Sequence, residues 1–371
     1  MKNIKHLLTL AKRNKGNLGA VDKTICLKNN ELILTDHDIT TTVRCTKPQE
    51  WGAIPDGIYF AAEIMLLLNK WVRNAPCDEK ERIGLEVPYA TKVDSFTVPT
   101  RTVYIVRIAE ADHYPIVEWP ERVKTQHHPF YVLEPTKQFS SFRAKNDSRA
   151  FLNGYGVTMT YDYSAINATD AHRLVQAQLP KSRGILSESK HENVYSSFLS
   201  DVLDQFNTEL TIETGTFKDK VDSDEEQYIR TRLLQDFNFV SNLNVSRKYP
   251  DIDRVIPKQT TKFFSIKSSE LMIALEYVKV TGEYNPAVLN ITNKKINLSS
   301  LAGKVSLDNI ELHHEEDFNA SFNFNWKYLK DLGNVFKGVI EFHINVASPL
   351  SSMLFMEPDS TTKVVIVPLR G

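Results

Sequence analysis

An α+β fold built from three similar domains is what this sequence predicts, on three observations. At 371 residues the chain is too long for one ordinary core. Strand-like runs return in three rounds, each accompanied by two helical stretches. A Thr-Asp pair recurs at domain spacing, with Thr35-Asp36 and Thr169-Asp170 lying 134 residues apart. These observations place the domains near 1–125, 126–257 and 258–371.

The first round opens with an amphipathic helix over 1–14, where Ile4, Leu7, Leu8 and Ala11 share one face. Strands are expected at Lys23–Lys28, Glu31–Leu34 and Thr40–Cys45, the first two joined by an Asn29-Asn30 turn. A second helix is expected over Phe60–Asn74, and a strand over Thr102–Ile108. Tyr114-Pro115 and Trp119-Pro120 then break the pattern, because proline has no N–H for a central strand.

The middle round reads as a helical stretch at Thr136–Asn146, strands at Arg149–Thr160 and Ser164–Ala168, and a helix over Glu192–Asn207. The acidic cluster within 217–228 is expected to be a solvated loop, followed by a strand at Phe237–Val245. In the last round strands are expected at Thr260–Ile266, Val288–Ile291, Lys295–Ser299, Gly338–Val346, Met353–Glu357 and Lys363–Pro368. Helices at Ser268–Lys279 and Trp326–Lys337 complete it.

Composition excludes several classes. Lys plus Arg (45) balances Asp plus Glu (46), so any polyanion contact must come from local charge segregation. Cys26, Cys45 and Cys77 are scattered and match no zinc spacing, which reads as reduced thiols in a cytoplasmic protein with no metal. No apolar run approaches the length of a membrane span or a signal peptide, so no membrane association is expected. Glycines are scattered rather than gathered into a phosphate loop, and no cofactor motif is present. A hydrolase using Asp170 and His172 would need a third catalytic group, and none is apparent; the chain reads as a non-enzyme.

Two predicted helices carry the same lysine face. Lys2, Lys5, Thr9 and Lys12 repeat the spacing of Lys327, Lys330, Asn334 and Lys337, and neither face holds an acid. Arg143 and Lys145 add charge in the intervening third. Recurrence in separate domains points to one shared polyanion held through its phosphates, without base reading.

Five ordered stretches carry a resemblance. They are Ser148–Gly154, Ala168–Leu174 (Ala-Thr-Asp-Ala-His-Arg-Leu), Tyr249–Pro257 (Tyr-Pro-Asp-Ile-Asp-Arg-Val-Ile-Pro), Phe324–Asp331, and the tail Val367-Pro368-Leu369-Arg370. Together they resemble the bacterial sliding clamps, the beta subunits of DNA polymerase III, with the first third the most divergent. The resemblance implies three clamp-type domains, each with two helices packed on antiparallel sheets, forming a head-to-tail homodimeric ring. It implies a processivity factor around double-stranded DNA, with no reaction of its own. Its partners would be the polymerase catalytic subunit, the clamp loader and other proteins carrying a short hydrophobic motif. The alternative is a clamp-derived interaction module that does not encircle DNA.

The same resemblance implies a peptide groove. Its members from the middle domain and its boundary would be Leu152, Thr169, Ala171, His172, Arg173, Leu174, Pro250, Arg254 and Val255. From the last domain it would take Tyr328, Leu350, Ser352, Val367, Pro368, Leu369 and Arg370. Lys2, Lys5, Lys12, Arg143, Lys145, Lys327, Lys330 and Lys337 would face DNA, and Val103 and Ile105 the partner subunit, opposite the region of Ser268–Lys279. Three departures from the family pattern would tune the groove: Ala171 where glycine is usual, Asp253 beside Arg254, and Gly371 in place of a hydrophobe.

Overall fold

The computed structural model describes residues 24–35, 41–47, 51, 54–61, 92–98, 101–120, 124–128, 135–159, 164–179, 191–204, 212–217, 226–233, 237–242, 249–279, 286–292, 295–314, 317–348 and 351–369. Among them the opening strands are β1 (Thr24–Lys28), β2 (Glu31–Thr35), β3 (Thr41–Thr46), β4 (Gly57–Phe60), β5 (Lys92–Val98), β6 (Arg101–Arg107) and β7 (Lys124–His128). Helix α1 (Pro135–Phe139) follows, then β8 (Gly156–Met159), β9 (Ser164–Thr169), β10 (Arg173–Leu179) and β11 (His191–Val194). Helix α2 (Ser197–Leu203) precedes β12 (Ile212–Phe217), β13 (Glu226–Leu233) and β14 (Phe237–Asn242).

The last third begins with β15 (Thr261–Lys267) and α3 (Ser268–Tyr277). It continues through β16 (Pro286–Thr292), β17 (Lys295–Ser299), β18 (Lys304–Ser306), β19 (Ile310–Leu312) and β20 (Ala320–Asn325). Helix α4 (Trp326–Val335), β21 (Val339–Ile344), β22 (Met353–Met356) and β23 (Lys363–Ile366) complete the described elements.

The chain divides into two compact units. The first holds 1–132, 182–185 and 196–246, and its main sheet runs β4-β1-β2-β3-β14-β13-β12-β7. Every pairing in that sheet is antiparallel. Strands of the opening third therefore join strands of the middle third where β3 meets β14, with Val43 opposite Phe239. The β1–β2 hairpin turns at Asn29 and Asn30, with φ of 50° and 63°, a left-handed pair that asparagine tolerates. Tyr114 is buried: its hydroxyl accepts from the Thr35 amide and donates to the Thr24 carbonyl. The Tyr114-Pro115 segment thus ties together the ends of the paired interior strands β1 and β2 rather than merely ending a strand. In α2, Ser196 caps the first turn by accepting from the Leu199 amide at 3.0 Å.

The second unit holds 133–181, 186–195 and 247–371. Its nine-stranded sheet runs β11-β8-β9-β10-β23-β22-β21-β15-β19, and a second sheet runs β18-β17-β16-β20. Here β10 of the middle third pairs with β23 of the last, placing Leu174 opposite Val365. Helices α3 and α4 pack against one another, and their buried residues include Leu271, Ala274 and Leu275 on one and Trp326, Leu329 and Leu332 on the other. The Trp326 indole donates to the Leu275 carbonyl at 2.7 Å. Gly333 permits this approach, since a Cβ there would lie 2.5 Å from Met272 Sδ.

Several boundaries differ from the expectation. Arg149–Thr160 is not one strand: Ala150–Leu152 is a 3₁₀ turn and only Gly156–Met159 is extended. The helix expected over Glu192–Asn207 is split, because His191–Val194 pairs with β8 and the Ser196 cap starts the helix only at Ser197. Helix α4 ends at Val335, where Phe336 turns extended, so Lys337 falls beyond it and donates to the Gly333 carbonyl. The helices expected at 1–14 and over most of 60–74, and the core of the acidic loop, lie outside the described residues.

Candidate functional site

The turn between β9 and β10 is dictated by its side chains. Thr169 Oγ1 donates to the Arg173 carbonyl at 2.6 Å and accepts from the Ala171 amide at 3.1 Å. Asp170 Oδ1 accepts from the amides of His172 and Arg173, each at 3.0 Å, the local bonding that aspartate favours in turns. Closing the turn puts Ala171 at φ 73°, the left-handed region where glycine would be unstrained. Ala171 and His172 are exposed, whereas Thr169 and Arg173 are buried.

Beside the turn lies a buried apolar cluster. Leu174, Val365 and Leu354 come from three adjacent strands, with Leu174 opposite Val365 and Val365 opposite Leu354. Ile252, from a 3₁₀ turn at Ile252–Arg254, joins them in one buried cluster, and Tyr249, Ile256 and Met356 pack around it. Val255, whose amide donates to the Ile252 carbonyl, is 47% exposed, and Val367 is 41% exposed. The Val367 amide donates to the His172 carbonyl at 3.0 Å, tying the tail to the turn. Tyr249 packs tightly on Gly156, where a Cβ would meet its ring at 2.4 Å, and burial raises its phenol above the ordinary range.

Arg173, next in the chain to Leu174, is buried. Its Nε donates to Asp170 Oδ2 at 3.0 Å, and its terminal nitrogens donate to Asp331 Oδ2 and the Ser141 carbonyl. The guanidinium lies over the rings of Phe142 and Tyr328, 4.9 and 4.2 Å from their centroids. Burial, and secondarily the Asp170 charge, raise the Tyr328 phenol.

Next to Arg173 opens a cleft of about 460 Å³ whose lining includes Arg143, Lys145, Lys327 and Lys330, with Asp170 and Asp331. The structure thus brings four of the expected DNA-facing cations together. They are not equivalent. Arg143 is buried, donates to the Asn153 carbonyl and lies over the Tyr155 ring. Lys330 pairs with Glu276 at 3.1 Å and lies over the Trp326 ring, holding the Glu276 carboxyl below its ordinary range. Lys145 and Lys327 are exposed.

The remaining expected residues scatter around this centre. Leu152 is buried in its 3₁₀ turn and is not part of the apolar cluster. Pro250, Ser352 and Leu369 are half-buried, and Pro368 is buried. Leu369 bridges to Asn323 through its amide. Arg254 is exposed and pairs with Asp251 at 3.0 Å. Leu350, Arg370, Gly371, Lys2, Lys5 and Lys12 lie outside the described residues. Val103 and Ile105 fall on β6, opposite Phe96 and Asp94 of β5 in a two-stranded sheet. In the second unit, Ile273 and Tyr277 of α3 and Leu301 of the β17–β18 turn are 54%, 70% and 91% exposed.

Sequence reasoning missed Ile252, Leu354, Val365 and Asp331. Val365 lies in the strand expected at Lys363–Pro368, but Val364, Val365 and Ile366 are all buried, so alternation does not single it out. Asp331 was not legible either, because its partner Arg173 is 158 residues away.

Catalytic geometry is absent from the polar clusters described. Both Asp170 oxygens are taken by backbone amides and Arg173. Ser265 Oγ lies 3.1 Å from His313 Nε2, but Glu311 approaches that same nitrogen at 3.8 Å, so it cannot orient the ring from the opposite side. Among the described residues no group of three or more His, Cys, Asp or Glu side chains is placed to hold a metal, and no helix is long and apolar enough to cross a membrane.

No protein-family model and no curated protein matches the chain. Solved structures do. The DNA polymerase III subunit beta of Pseudomonas aeruginosa superposes with a TM-score of 0.70 at 20% identity, covering 100% of this chain and 97% of that one. The DNA polymerase sliding clamp of Bacillus subtilis gives 0.69 at 17% identity, covering 100% and 96%. A putative DNA polymerase III beta subunit from Eubacterium rectale gives 0.70 at 15%, covering 100% and 98%. A further Pseudomonas aeruginosa clamp similar to this chain was solved bound to griselimycin. Over its whole length, at low identity, this chain has the fold of the bacterial sliding clamps, the beta subunits of DNA polymerase III.

Proposed function

We propose that this chain is a DNA sliding clamp, a homodimeric ring of three domains per subunit (1–125, 126–257, 258–371) that encircles duplex DNA and tethers a polymerase to it. The observation that carries the reading is the apolar cluster of Leu174, Ile252, Leu354 and Val365, read as a groove floor with exposed Val255 and Val367 at its surface and set on the clamp fold. Such a floor suits a short peptide anchored by Leu or Phe, and the polymerase subunit, clamp loader and other motif-bearing proteins would dock there in turn. Leu152, Arg254, Leu350 and Arg370 belong to the periphery of the groove in this reading.

Ring closure joins the β6 edge, with Val103 and Ile105, to the α3 side of a second copy. Exposed Ile273, Tyr277 and Leu301 support it, since large apolar residues this exposed on one side of a domain mark an association surface. Lys145, Lys327, Lys330 and Lys337 face the DNA, joined by Lys2, Lys5 and Lys12, while Arg143, which is buried, adds its charge from behind them. Their contacts to phosphates are sequence-independent and individually weak. The protein works in the cytoplasm without a cofactor or a reaction of its own.

The test is topological. Protein diluted to open the ring, mixed with nicked circular duplex and reconcentrated should stay with the DNA through gel filtration in high salt. Cutting the circle should release it. Retention only in low salt, equal on linear and circular DNA, would instead support a clamp-derived interaction module that does not encircle DNA.

A further inference from the structure

The resemblance to clamps places Arg173 on the groove wall as a contact for the incoming peptide. Its surroundings argue for another role. The side chain is 8% exposed, each guanidinium nitrogen has an acceptor in Asp170, Asp331 or the Ser141 carbonyl, and Phe142 and Tyr328 cover its two neighbouring faces. Three of its five N–H groups are already bonded inside the protein, two of them to carboxylates, so a peptide that took over either of those would break a buried, charge-assisted bond and leave a carboxylate unpaired.

From Arg173 a continuous set of bonds runs to the groove. Asp331 of α4 holds Arg173, and Arg173 holds one oxygen of Asp170. The other Asp170 oxygen fixes the amides of His172 and Arg173, and the His172 carbonyl receives the Val367 amide. We infer that Arg173 is a positioning residue, a latch from α4 to the Thr169–Leu174 turn, and that Asp331 sets the peptide groove without belonging to its apolar floor. The inference rests on reading that floor as a peptide site.

The experiment measures fluorescence anisotropy of a fluorescein-labelled peptide ending in Leu-Phe, with the full chain carrying Val367→Asp, Asp331→Asn, Arg173→Gln, or the last two together. Loss of binding in Val367→Asp checks the groove itself. The latch requires that Asp331→Asn weaken binding about five- to tenfold, that Arg173→Gln do the same, and that the double variant be no worse than either single change. Amide exchange at Ala171, His172 and Arg173 should quicken in Asp331→Asn while Leu174 and Val365 keep their protection. If Asp331→Asn melts below the assay temperature, Asp331→Glu, which moves the carboxylate by one methylene, should show a smaller loss of the same sign.

Wild-type affinity in a folded Asp331 variant, with weakened binding in Arg173→Gln, would overturn the latch and make Arg173 a direct contact. Unchanged binding in Val367→Asp would instead remove the groove reading on which the latch depends.

Discussion

At the scale of single residues, Ala171 is the clearest anomaly. Its φ of 73° costs an L-residue with a Cβ about 1–2 kcal/mol relative to glycine, partly offset by the greater freedom of glycine in the unfolded chain. Ala171→Gly should therefore stabilise the protein by about 0.5–1 kcal/mol, read as a shifted urea midpoint at constant slope. A lower midpoint would show that the methyl makes a compensating contact. The sequence pointed to this residue because the clamp pattern has glycine there, and the structure supplies the dihedral. Arg173 shows the opposite case. An arginine next to an apolar run reads as a rim charge, and only tertiary partners from Ser141, Phe142, Tyr328 and Asp331 reveal it as interior.

Elements were legible where their signals are local. Lys295–Ser299 and the start of α4 at Trp326 fall where the sequence placed them, and Asn325 opens the helix with its Oδ1 accepting from the Lys327 amide. The Glu192–Asn207 region misled because Val194 and Phe198 satisfy a helical period, while the cap at Ser196 and the pairing of His191–Val194 with β8 decide otherwise. Sheet order was not legible, because the pairing of Leu174 with Val365 leaves no mark in either local sequence. One β8 position is closely packed against Tyr249. Gly156→Ala would drive a methyl into the Tyr249 ring and should cost about 1–3 kcal/mol by overpacking, with weakened peptide binding. Thermal unfolding together with peptide titration checks this, and unchanged values in both would show that the Tyr249 ring yields freely.

The basic cleft belongs to the same scale, and its lysines differ in what they can offer. Lys330 is engaged by Glu276, whereas Lys327 is exposed and no ion pair is recorded for it among the described residues. Lys327→Glu together with Lys330→Glu should weaken DNA binding and flatten its salt dependence by about one to two phosphate equivalents, leaving the subunit mass unchanged. An unaltered salt slope would remove these lysines from the DNA face. Glu276→Gln, which frees Lys330, should change binding in the opposite direction.

For the whole molecule, repetition in the sequence suggested three rounds of strands and helices, and the clamp fold bears out the resemblance drawn from five short stretches. What repetition does not convey is how the thirds are joined. The sheets run from the opening to the middle third through β3 and β14, and from the middle to the last through β10 and β23. Charged replacements at Ile273 and Tyr277 should halve the assembled mass while leaving each subunit folded, because a like-charged pair at an apolar interface is not compensated.

Solution scattering with an absolute mass, across the micromolar range, tests the ring most directly. The account predicts a particle of twice the 42.4 kDa chain mass with the profile of a hollow ring. A monomer at 42.4 kDa throughout that range, compact or elongated, would contradict it.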